Sequence, residues 1–350
     1  MDGQTGFMGR AVGRGVRLGV DEVTSVAMAR GINRSGRRMV IVHADGSWIN
    51  PILGGTDGFL PKLVGELAHQ GIETRAVRAR TRQAEALNDP EADHVHVVMG
   101  DMPGYGRDTL RVEQGYIKGF WYLDEVGVFA DSSLRLGQFC PERVHAGHAE
   151  YFFNGVTGWM LRNNLSKAPQ PDRIADKLDP AAAVIFTQEI EALRQRSHYM
   201  TTEQMIRTAA EFDRSKLIYV KLHPQQSKAA RRDLLVVAQD YQNVTVSEAS
   251  VHDLIEKSQV VITQNSAAGF EALMQKKPVV TCARSDYRHA TLTAKNPGDL
   301  RDALEYGPDA MADFNFEKYF YWFLGRNLLE EAKDQFAERA VARIREKAFL

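Results

Sequence analysis

Short runs of apolar, β-branched residues alternate along the chain with stretches whose apolar residues recur every three or four positions. The first run, at residues 39–42, precedes helical spacing over residues 59–67, and another run lies at residues 95–99. Such runs predict buried strands, and the spacing between them predicts an amphipathic helix. We therefore predict an N-terminal α/β domain over residues 38–165, preceded by a loosely packed segment at residues 1–37.

A connector separates this part of the chain from a second series of the same kind. Residues 166–180 contain three prolines and several charges, a composition typical of an exposed linker. Over residues 181–313 strands and helices then alternate, which indicates a parallel sheet. We predict its strands at residues 183–187, 217–220, 244–246, 260–263 and 278–281. The pattern predicts an α/β fold of two Rossmann-like domains, with mainly parallel sheets that face a cleft.

The last segment, residues 314–350, changes character. It begins with seven aromatic residues among eleven (FNFEKYFYWFL) and continues with apolar positions at helical spacing from Leu329 to Ile344 on a charged background. One interpretation is a closing helix that packs on the body of the protein. The other is a contact with a membrane surface, because Arg339 and Arg343 lie near the apolar stripe. Both interpretations stay open on the sequence alone.

Composition and charge narrow the classes of partner. The 350-residue chain has a formal net charge of -1, which gives no global positive field for nucleic acid. Its two cysteines, Cys140 and Cys282, provide neither a disulfide framework nor a thiolate metal site. No apolar run approaches the roughly 20 residues of a membrane span, so we expect a cytoplasmic protein, with peripheral contact to the inner membrane as an open alternative.

Histidines occur as two spaced pairs, His94 with His96 and His145 with His148. Two histidines make an incomplete metal site. We therefore expect no metal and no cofactor.

Residues with binding chemistry follow one of the predicted strands directly. Lys221, His223 and Pro224 come after strand 217–220, at the edge where open α/β sheets bind ligands. Pro224 stops further strand pairing. His223 can donate a hydrogen bond to a phosphate, and Lys221 can add a positive charge. A histidine satisfied within its own turn is the structural alternative.

A second cluster of small and polar residues opens a predicted helix later in the chain. Asn265 or Ser266 is suited to cap this helix, and the small Ala268 and Gly269 would let a ligand approach the backbone. Exposed N–H groups at a helix N-terminus attract phosphate. Glu271 can accept hydrogen bonds from a ribose hydroxyl or, alternatively, interact only with the helix dipole.

In their order along the chain, these residues resemble the bacterial capsular polysaccharide biosynthesis family. The sequence KLHP after a strand, the later run QNSAAGFEALMQKKPVV, and then Tyr287 and Leu292-Thr293 agree with the C-terminal part of that family. Upstream, the sequence EQGY that begins at Glu113 is similar to the family's Glu-x-Gly-Tyr signature. The resemblance spans roughly residues 95–293 and is most specific in its C-terminal part.

The family contains retaining β-Kdo transferases, so the resemblance implies a GT-B-like fold and a CMP-linked 3-deoxy-octulosonate (Kdo) donor. The donor is a substrate, and the expected acceptor is a glycolipid or a capsule oligosaccharide. Capsule-assembly proteins are further expected partners. His223 and Pro224 fall on the family's nucleotide-phosphate motif, and Ser266, Gly269 and Glu271 on its donor loop. The expected donor-binding residues are Lys221, His223, Pro224, Asn265, Ser266, Ala268, Gly269 and Glu271.

The chain departs from the family at the catalytic carboxylate. Family enzymes have a glutamine followed by an acidic pair that contains an aspartate, whereas Gln188 is followed here by Glu189 and Glu191. A glutamate can act as a nucleophile or stabilise charge at an anomeric carbon, although it is one methylene longer. We expect Glu191 to be the catalytic carboxylate, and the resemblance adds Gln188 and Glu113 as catalytic residues.

Two alternatives to a Kdo transferase stay open. One is a non-catalytic capsule-assembly or export factor that retains the nucleotide-sugar-binding fold, which the missing aspartate makes reasonable. The other is a transferase that uses a different nucleotide sugar, because a phosphate-binding arrangement does not identify the base.

Overall fold

Buried runs of β-branched and small residues form the strands of two sheets. The structure is a computed structural model, and it describes residues 20–100, 108–193 and 197–350. The chain divides into two compact units. The first unit comprises Met1–Val112 and Glu331–Leu350, and the second unit comprises Glu113–Glu330. Both contain parallel strands connected by helices, so the predicted α/β class with mainly parallel sheets is confirmed.

The first unit is a parallel sheet with connecting helices. Its described strands are β1 (Asp21–Glu22), β2 (Val40–Ala44), β3 (Thr74–Arg78), β4 (Val95–Met99) and β5 (Thr109–Gln114), and their spatial order is β1-β3-β2-β4-β5. The helices among them are α1 (Val26–Asn33), α2 (Gly46–Gly54), α3 (Phe59–His69) and α4 (Arg82–Ala86). Every residue of β2 is buried, which explains its largely apolar sequence.

The second half of the N-terminal segment contains a short strand and a helix. Of the residues predicted to be loosely packed, 1–19 lie outside the described residues, whereas 20–37 contain β1 and α1. The side chain of Ser25 caps α1 by accepting a hydrogen bond from Met28 N, and Ala29 of this helix is buried. The lack of a long apolar period reflects the shortness of these elements.

The second unit contains a parallel sheet and a small antiparallel pair. Its described strands are β6 (Phe120–Asp124), β7 (Ala181–Phe186), β8 (Ile218–Lys221), β9 (Val244–Val246), β10 (Ser258–Thr263), β11 (Val279–Thr281), β12 (Leu292–Thr293) and β13 (Leu329–Glu330). The parallel sheet has the order β12-β11-β10-β7-β8-β9, and β6 pairs with β13 in antiparallel fashion. The helices are α5 (Ala146–Arg162), α6 (Thr202–Phe212), α7 (Lys228–Gln239), α8 (Val251–Lys257), α9 (Ala267–Ala272), α10 (Pro297–Met311) and α11 (Phe316–Phe320).

The order of strands in this sheet reverses between β7 and β10. The chain runs outward from β7 through β8 to β9, and then returns to the other side of β7 with β10, followed by β11 and β12. The two strands are paired over most of their length, with Val261 opposite Val184. Ligands of open α/β sheets bind outside the carboxyl ends of the strands at such a reversal.

The segment predicted as a linker packs on the second unit. The Ser166 hydroxyl donates a hydrogen bond to Glu271 Oε1 at 2.9 Å, and the Ile174 backbone N–H donates to Asp253 Oδ2 at 2.6 Å. These bonds attach the segment to α9 and α8. Residues 166–180 therefore lie inside the second unit, and the division between the units falls elsewhere.

Aromatic packing explains why the second unit extends beyond its predicted limits in both directions. The rings of Phe320 and Phe323 lie 5.3 and 4.8 Å from that of Phe270 on α9, measured between centroids. Tyr116, far upstream, stacks on the same ring at 5.1 Å. The sequence before the predicted linker and the aromatic segment after residue 313 consequently share one core with the parallel sheet.

After β13 the chain returns to the first unit as α12 (Phe336–Ala348). The ring of Phe336 lies edge-on to that of Phe59 on α3 at 5.2 Å between centroids, and Ile344 is fully buried. The apolar stripe is therefore a packing surface, in accord with the closing-helix interpretation. Among the residues that the structure describes, no helix is long and apolar enough to cross a membrane.

We expect Phe336→Ala to lower the free energy of unfolding by about 3–5 kcal/mol, because it removes a buried ring and leaves a cavity between α12 and α3. Chemical denaturation of the full chain measures this loss. Glu346→Ala, at an exposed position of the same helix, is the matched control and should change the value by less than about 0.5 kcal/mol. A Phe336→Ala protein as stable as the parent would contradict the packing role of the stripe.

Candidate functional site

The carboxyl ends of β7, β8 and β10 bring three sequence-predicted residues to one edge of the second unit. Gln188 follows β7, His223 follows β8, and Asn265 follows β10. All three strands are parallel neighbours in the order β10-β7-β8. The reversal of strand order lies among them, which makes this edge the candidate ligand site.

Gln188 and Asn265 hold the two strand ends at the reversal together. Asn265 N donates to Gln188 Oε1 at 2.9 Å, and Gln188 Nε2 donates to Asn265 Oδ1 at 3.2 Å. Asn265 Nδ2 donates in addition to the backbone carbonyl of Arg284 at 2.9 Å, beyond β11. Both amides are therefore fixed by the protein, and their part in the site is to position the strand ends.

The imidazole of His223 has one engaged ring nitrogen. Gln225 N donates to His223 Nδ1 at 3.2 Å, so the neutral ring carries its proton on Nε2. Burial lowers the pKa of His223, which keeps the ring neutral near pH 7. The backbone N–H of His223 donates to Thr187 Oγ1 at 3.1 Å and fixes the turn. Within the described chain no hydrogen bond engages Nε2, whose N–H can donate to a phosphate oxygen.

Lys221 has a different position from the one expected for a phosphate ligand. Its ammonium group donates to the backbone carbonyls of Glu248 and Ala249 at 3.1 and 2.7 Å. Burial lowers the pKa of Lys221 as well. The side chain thus connects β8 to the loop before α8. Pro224 is exposed and ends the strand as the sequence suggests.

The start of α9 is capped as predicted, but its small residues serve packing. The Ser266 hydroxyl accepts a hydrogen bond from Ala268 N at 3.3 Å, and Tyr287 donates to the Ser266 carbonyl at 2.8 Å. A Cβ atom on Gly269 would lie 2.7 Å from Thr263 Cγ2 and 2.8 Å from the Tyr287 hydroxyl. Gly269 is therefore required for the close approach of α9 to β10 and Tyr287. Ala268 is half-buried at the first turn.

The two carboxylates after Gln188 both reach the first turn of a helix. Ser227 N and Ser227 Oγ each donate to Glu189 at 2.7 Å, one to each oxygen, and these bonds hold the pKa of Glu189 below its usual range. Glu191 Oε1 accepts from Thr202 N at 2.5 Å and from Gln264 Nε2 at 2.8 Å. In the described residues no hydrogen bond reaches Glu191 Oε2. Glu191 is thus oriented through one oxygen, whereas Glu189 has both oxygens occupied.

Glu271 is fully buried and accepts hydrogen bonds from the segment at residues 166–180. Its Oε1 accepts from Ser166 Oγ at 2.9 Å and from Lys167 N at 3.3 Å, while Oε2 is buried without a partner in the described part of the chain. Burial raises the pKa of Glu271 to about 7. Glu113 attracts the Lys167 ammonium and counters the lowering of its pKa by burial. The structure therefore groups Glu271 and Glu113 around Lys167.

Asp286 is a buried carboxylate that the sequence reasoning missed. Tyr116 and Tyr122 donate to its two oxygens at 2.8 and 2.7 Å, and burial raises its pKa to about 7. Tyr116 belongs to the EQGY motif, and this motif is the feature of the sequence that could have pointed to a partner for the tyrosine hydroxyl. The motif contributes a core hydrogen bond that joins the start of the second unit to the loop after β11.

One histidine of each spaced pair, His96 and His145, has a hydrogen-bond partner. His96 Nδ1 lies 2.9 Å from His43 Nε2 in the core of the first unit, and His145 Nδ1 accepts a hydrogen bond from His148 N at the start of α5. Across residues 20–100, 108–193 and 197–350, no group of three or more His, Cys, Asp or Glu side chains could hold a metal ion.

Residues 187–321 match the family described as capsule polysaccharide biosynthesis protein. This match confirms the predicted resemblance over that range. It includes the turn after β7, His223 and the whole start of α9, and therefore the candidate site. No curated protein matches the chain.

Solved structures with a similar backbone include two transferases and an epimerase. The KpsC β-Kdo 2,7 transferase of Thermosulfurimonas dismutans is 16% identical, with 77% of this chain and 90% of that chain covered and a TM-score of 0.48. The β-Kdo 2,4 transferase of the same organism's KpsC is 19% identical, with coverage of 75% and 89% and a TM-score of 0.48. A Methanocaldococcus jannaschii UDP-GlcNAc 2-epimerase is 12% identical, with coverage of 88% and 99% and a TM-score of 0.35.

The buried carboxyl of Glu271 generates a prediction about pH. Its pKa is raised from 4.5 to about 7 in the folded protein, so folding favours the protonated form. Its favourable effect on stability is complete below pH 4.5 and is lost as the pH rises through 7. Over that window we expect the free energy of unfolding of the parent to fall, relative to that of Glu271→Gln, by on the order of 3 kcal/mol.

Denaturation curves of both proteins at a series of pH values test this expectation. Glu203→Gln, which alters an exposed carboxylate of α6, is the control and should follow the parent. If the stabilities of the parent and Glu271→Gln change in parallel with pH, the assignment of the raised pKa to Glu271 is wrong.

Proposed function

We propose that this chain is a glycosyltransferase of capsular polysaccharide biosynthesis, which transfers Kdo or a related sugar from a CMP-activated donor to a glycolipid or capsule oligosaccharide. The observation that carries the proposal is the strand-order reversal at which His223 Nε2 and the capped start of α9 meet one sheet edge, within the range of the family match. A nucleotide phosphate is the ligand class that such an edge suits. The identity of the sugar and the base comes from the family resemblance.

The donor phosphate, in this proposal, binds between His223 and the first turn of α9. His223 Nε2 donates one hydrogen bond, and backbone N–H groups after Ser266 supply a partial positive charge. Gln188 and Asn265 hold the intervening strand ends at fixed spacing. Lys221 contributes indirectly, because its ammonium is bound to backbone carbonyls and stabilises the strand that carries His223.

Glu191 is the proposed nucleophile for transfer with retention. Its Oε2 would form a bond to the anomeric carbon while the bond from that carbon to the phosphate oxygen breaks, and CMP leaves with the electron pair. An acceptor hydroxyl would then displace the carboxylate and lose its proton to a base, which returns the original configuration. The bonds from Thr202 and Gln264 to Oε1 hold the carboxylate in one orientation. Glu113, from the family signature, remains a proposed further catalytic residue.

A non-catalytic role in capsule assembly or export is the second candidate. The observation in its favour is that both Glu189 and Glu191 bind the first turns of helices, a role that needs no chemistry. In that case the chain would bind a nucleotide sugar without turnover. The two experiments that follow separate binding from transfer.

The proposed location is the cytoplasm, where the acceptor on the inner membrane would be reached by peripheral contact. Both cysteines are free, and the buried thiol of Cys282 has its pKa raised to about 12. Unpaired cysteines suit a reducing compartment. The apolar stripe of α12 is occupied by packing, so any lipid contact would use another surface.

We expect His223→Ala to weaken CMP binding by roughly tenfold or more, because a charge-assisted hydrogen bond to phosphate is lost. Isothermal titration calorimetry with CMP measures the change. Lys221→Met is the matched control: its ammonium is bound elsewhere, so it should lower stability and leave CMP affinity within about threefold. Unchanged CMP affinity in His223→Ala would exclude this site, and a large loss in Lys221→Met alone would reassign the phosphate contact.

We expect Glu191→Gln to bind CMP normally and to lose sugar transfer by orders of magnitude, because the missing charge acts only during the chemical step. The measurement is CMP release with CMP-Kdo generated in place and a panel of acceptors. Glu189→Gln is the control, since Glu189 has both oxygens bonded to Ser227, and it should retain transfer. Transfer at the parental rate by Glu191→Gln would contradict the assignment, and a parent without CMP release would favour the non-catalytic candidate.

A further inference from the structure

A cavity of about 450 Å³ lies in the second unit next to the loop that follows β11. Its lining residues are Ser197, His198, Tyr199, Arg284 and Lys295. Two of the five, Arg284 and Lys295, are basic side chains, and none is a carboxylate. A cavity of this volume holds a sugar-sized ligand.

Backbone hydrogen bonds fix two walls of the cavity against each other. Tyr199 N donates to the Cys282 carbonyl, and Arg284 N donates to the Ser197 carbonyl, both at 2.8 Å. His198 and Ala283 face each other as an antiparallel bridge. The cavity is therefore formed by paired backbone rather than by loose loops.

Two polar nitrogens at this cavity are buried without a partner in the described part of the chain. They are Arg284 Nε and His198 Nδ1. An unsatisfied donor on a charged group is costly in a folded protein and is rare without a functional reason. Lys295 adds a second cation at the rim, with its ammonium 6.0 Å from the centroid of the Tyr199 ring. Arg284 and Lys295 therefore place two basic side chains at one cavity, where they would attract an anionic ligand.

One counter-charge is already present. Asp131 Oδ1 lies 2.5 Å from Arg284 Nη2. The Arg284 side chain is 27% exposed, so it can contact a second acceptor in addition to Asp131. Lys295 has no ion pair among the described residues. With Asp131 counted, the cavity keeps one net positive charge.

The cavity and the proposed donor phosphate occupy different ends of the same edge. His223 follows β8 and Arg284 follows β11, and the strand order is β11-β10-β7-β8. Three strand spacings of roughly 4.8 Å place these strand ends about 14 Å apart. None of the proposed donor-binding residues is among those that line the cavity. Asn265 lies between the two positions and bonds to the Arg284 carbonyl.

We infer that this cavity is a second anion-binding site, which takes a carboxylate or phosphate group carried by a sugar of the acceptor. The assignment to an acceptor sugar rests on the proposed function, whereas the anion site rests only on the cavity and its side chains. A capsule oligosaccharide with an acidic sugar, or a glycolipid with a sugar phosphate, would present such a group. Both sources would present a sugar that carries a negative charge, and they differ in whether that charge belongs to a carboxylate or to a phosphate.

Ligand-observed NMR titration of the full chain, in the presence of saturating CMP, tests the site. The probes are glucuronate for the carboxylate, glucose 6-phosphate for the phosphate, and neutral glucose. We expect at least one of the two anionic sugars to bind and glucose not to bind at the same concentrations. The anionic probe that binds more tightly identifies whether the site takes a carboxylate or a phosphate. Equal binding of all three probes would overturn the inference.

Three variants and one control connect binding to the cavity. Arg284→Gln and Lys295→Gln should each weaken the anionic probe about tenfold or more. Asp131→Asn should strengthen it severalfold by releasing the guanidinium, an effect that a merely structural ion pair would not give. Lys177→Gln, at an exposed lysine of the same unit, should bind like the parent.

The outcomes distinguish the cavity from the donor site. Probe affinities in Arg284→Gln and Lys295→Gln equal to that of the parent would refute the site, as would Asp131→Asn without any gain. Because Lys295 is exposed, its substitution tests the idea even if Arg284→Gln fails to fold. His223→Ala should lose CMP and keep the sugar anion. If the parent binds the anion but never releases CMP, the proposed transferase fails and the anion site remains.

Discussion

The reciprocal hydrogen bonds between Gln188 and Asn265 are the contact on which the geometry of this edge depends. They join the ends of β7 and β10 at the point where the chain leaves the sheet in opposite directions. Together with the bonds from His223 N to Thr187 and from Tyr287 to the Ser266 carbonyl, they fix the spacing between His223 and Ser266. An amide pair suits this task because each amide donates and accepts at once, so the two side chains satisfy each other across the reversal.

A second constraint is the burial of carboxyl groups within the core of the same unit. Asp286 accepts from two tyrosine hydroxyls, and Glu271 accepts from the segment that begins at Ser166. Both groups have their pKa raised to about 7 by burial, so each destabilises the folded chain when it is charged. These buried bonds specify which distant segments join the sheet. They explain why the sequence from Glu113 onward packs with the second unit.

The sequence predicts those features of the structure that depend on neighbouring residues, and not those that depend on contacts between residues far apart in the chain. The strands at 183–187 and 260–263 could be predicted to within about two residues, because a buried parallel strand needs a short apolar run and little else. The bond from Ser166 to Glu271 could not be predicted, because the proline-rich composition of 166–180 carries no sign of a residue that lies roughly a hundred positions away.

The same limit applies at the site. A lysine directly after a strand suggests a phosphate ligand. The fold shows that the Lys221 ammonium donates to two backbone carbonyls. Gly269 was predicted as a point of ligand approach, and the atoms that would meet its Cβ belong to Thr263 and Tyr287. The cavity could not be predicted from the sequence, because its walls come from Ser197 and Arg284, which are distant in sequence and belong to no motif.

The two carboxylates after Gln188, those of Glu189 and Glu191, have different hydrogen-bond environments. Glu189 has each oxygen bonded to Ser227, and it anchors the start of α7 as a helix-capping acid would. Glu191 uses a single oxygen for Thr202 and Gln264. A nucleophile needs one oxygen held for orientation and one left to react, and only the second carboxylate meets both requirements. In the proposed transfer, the bonds that hold Oε1 at the start of α6 would set where the longer glutamate side chain places Oε2.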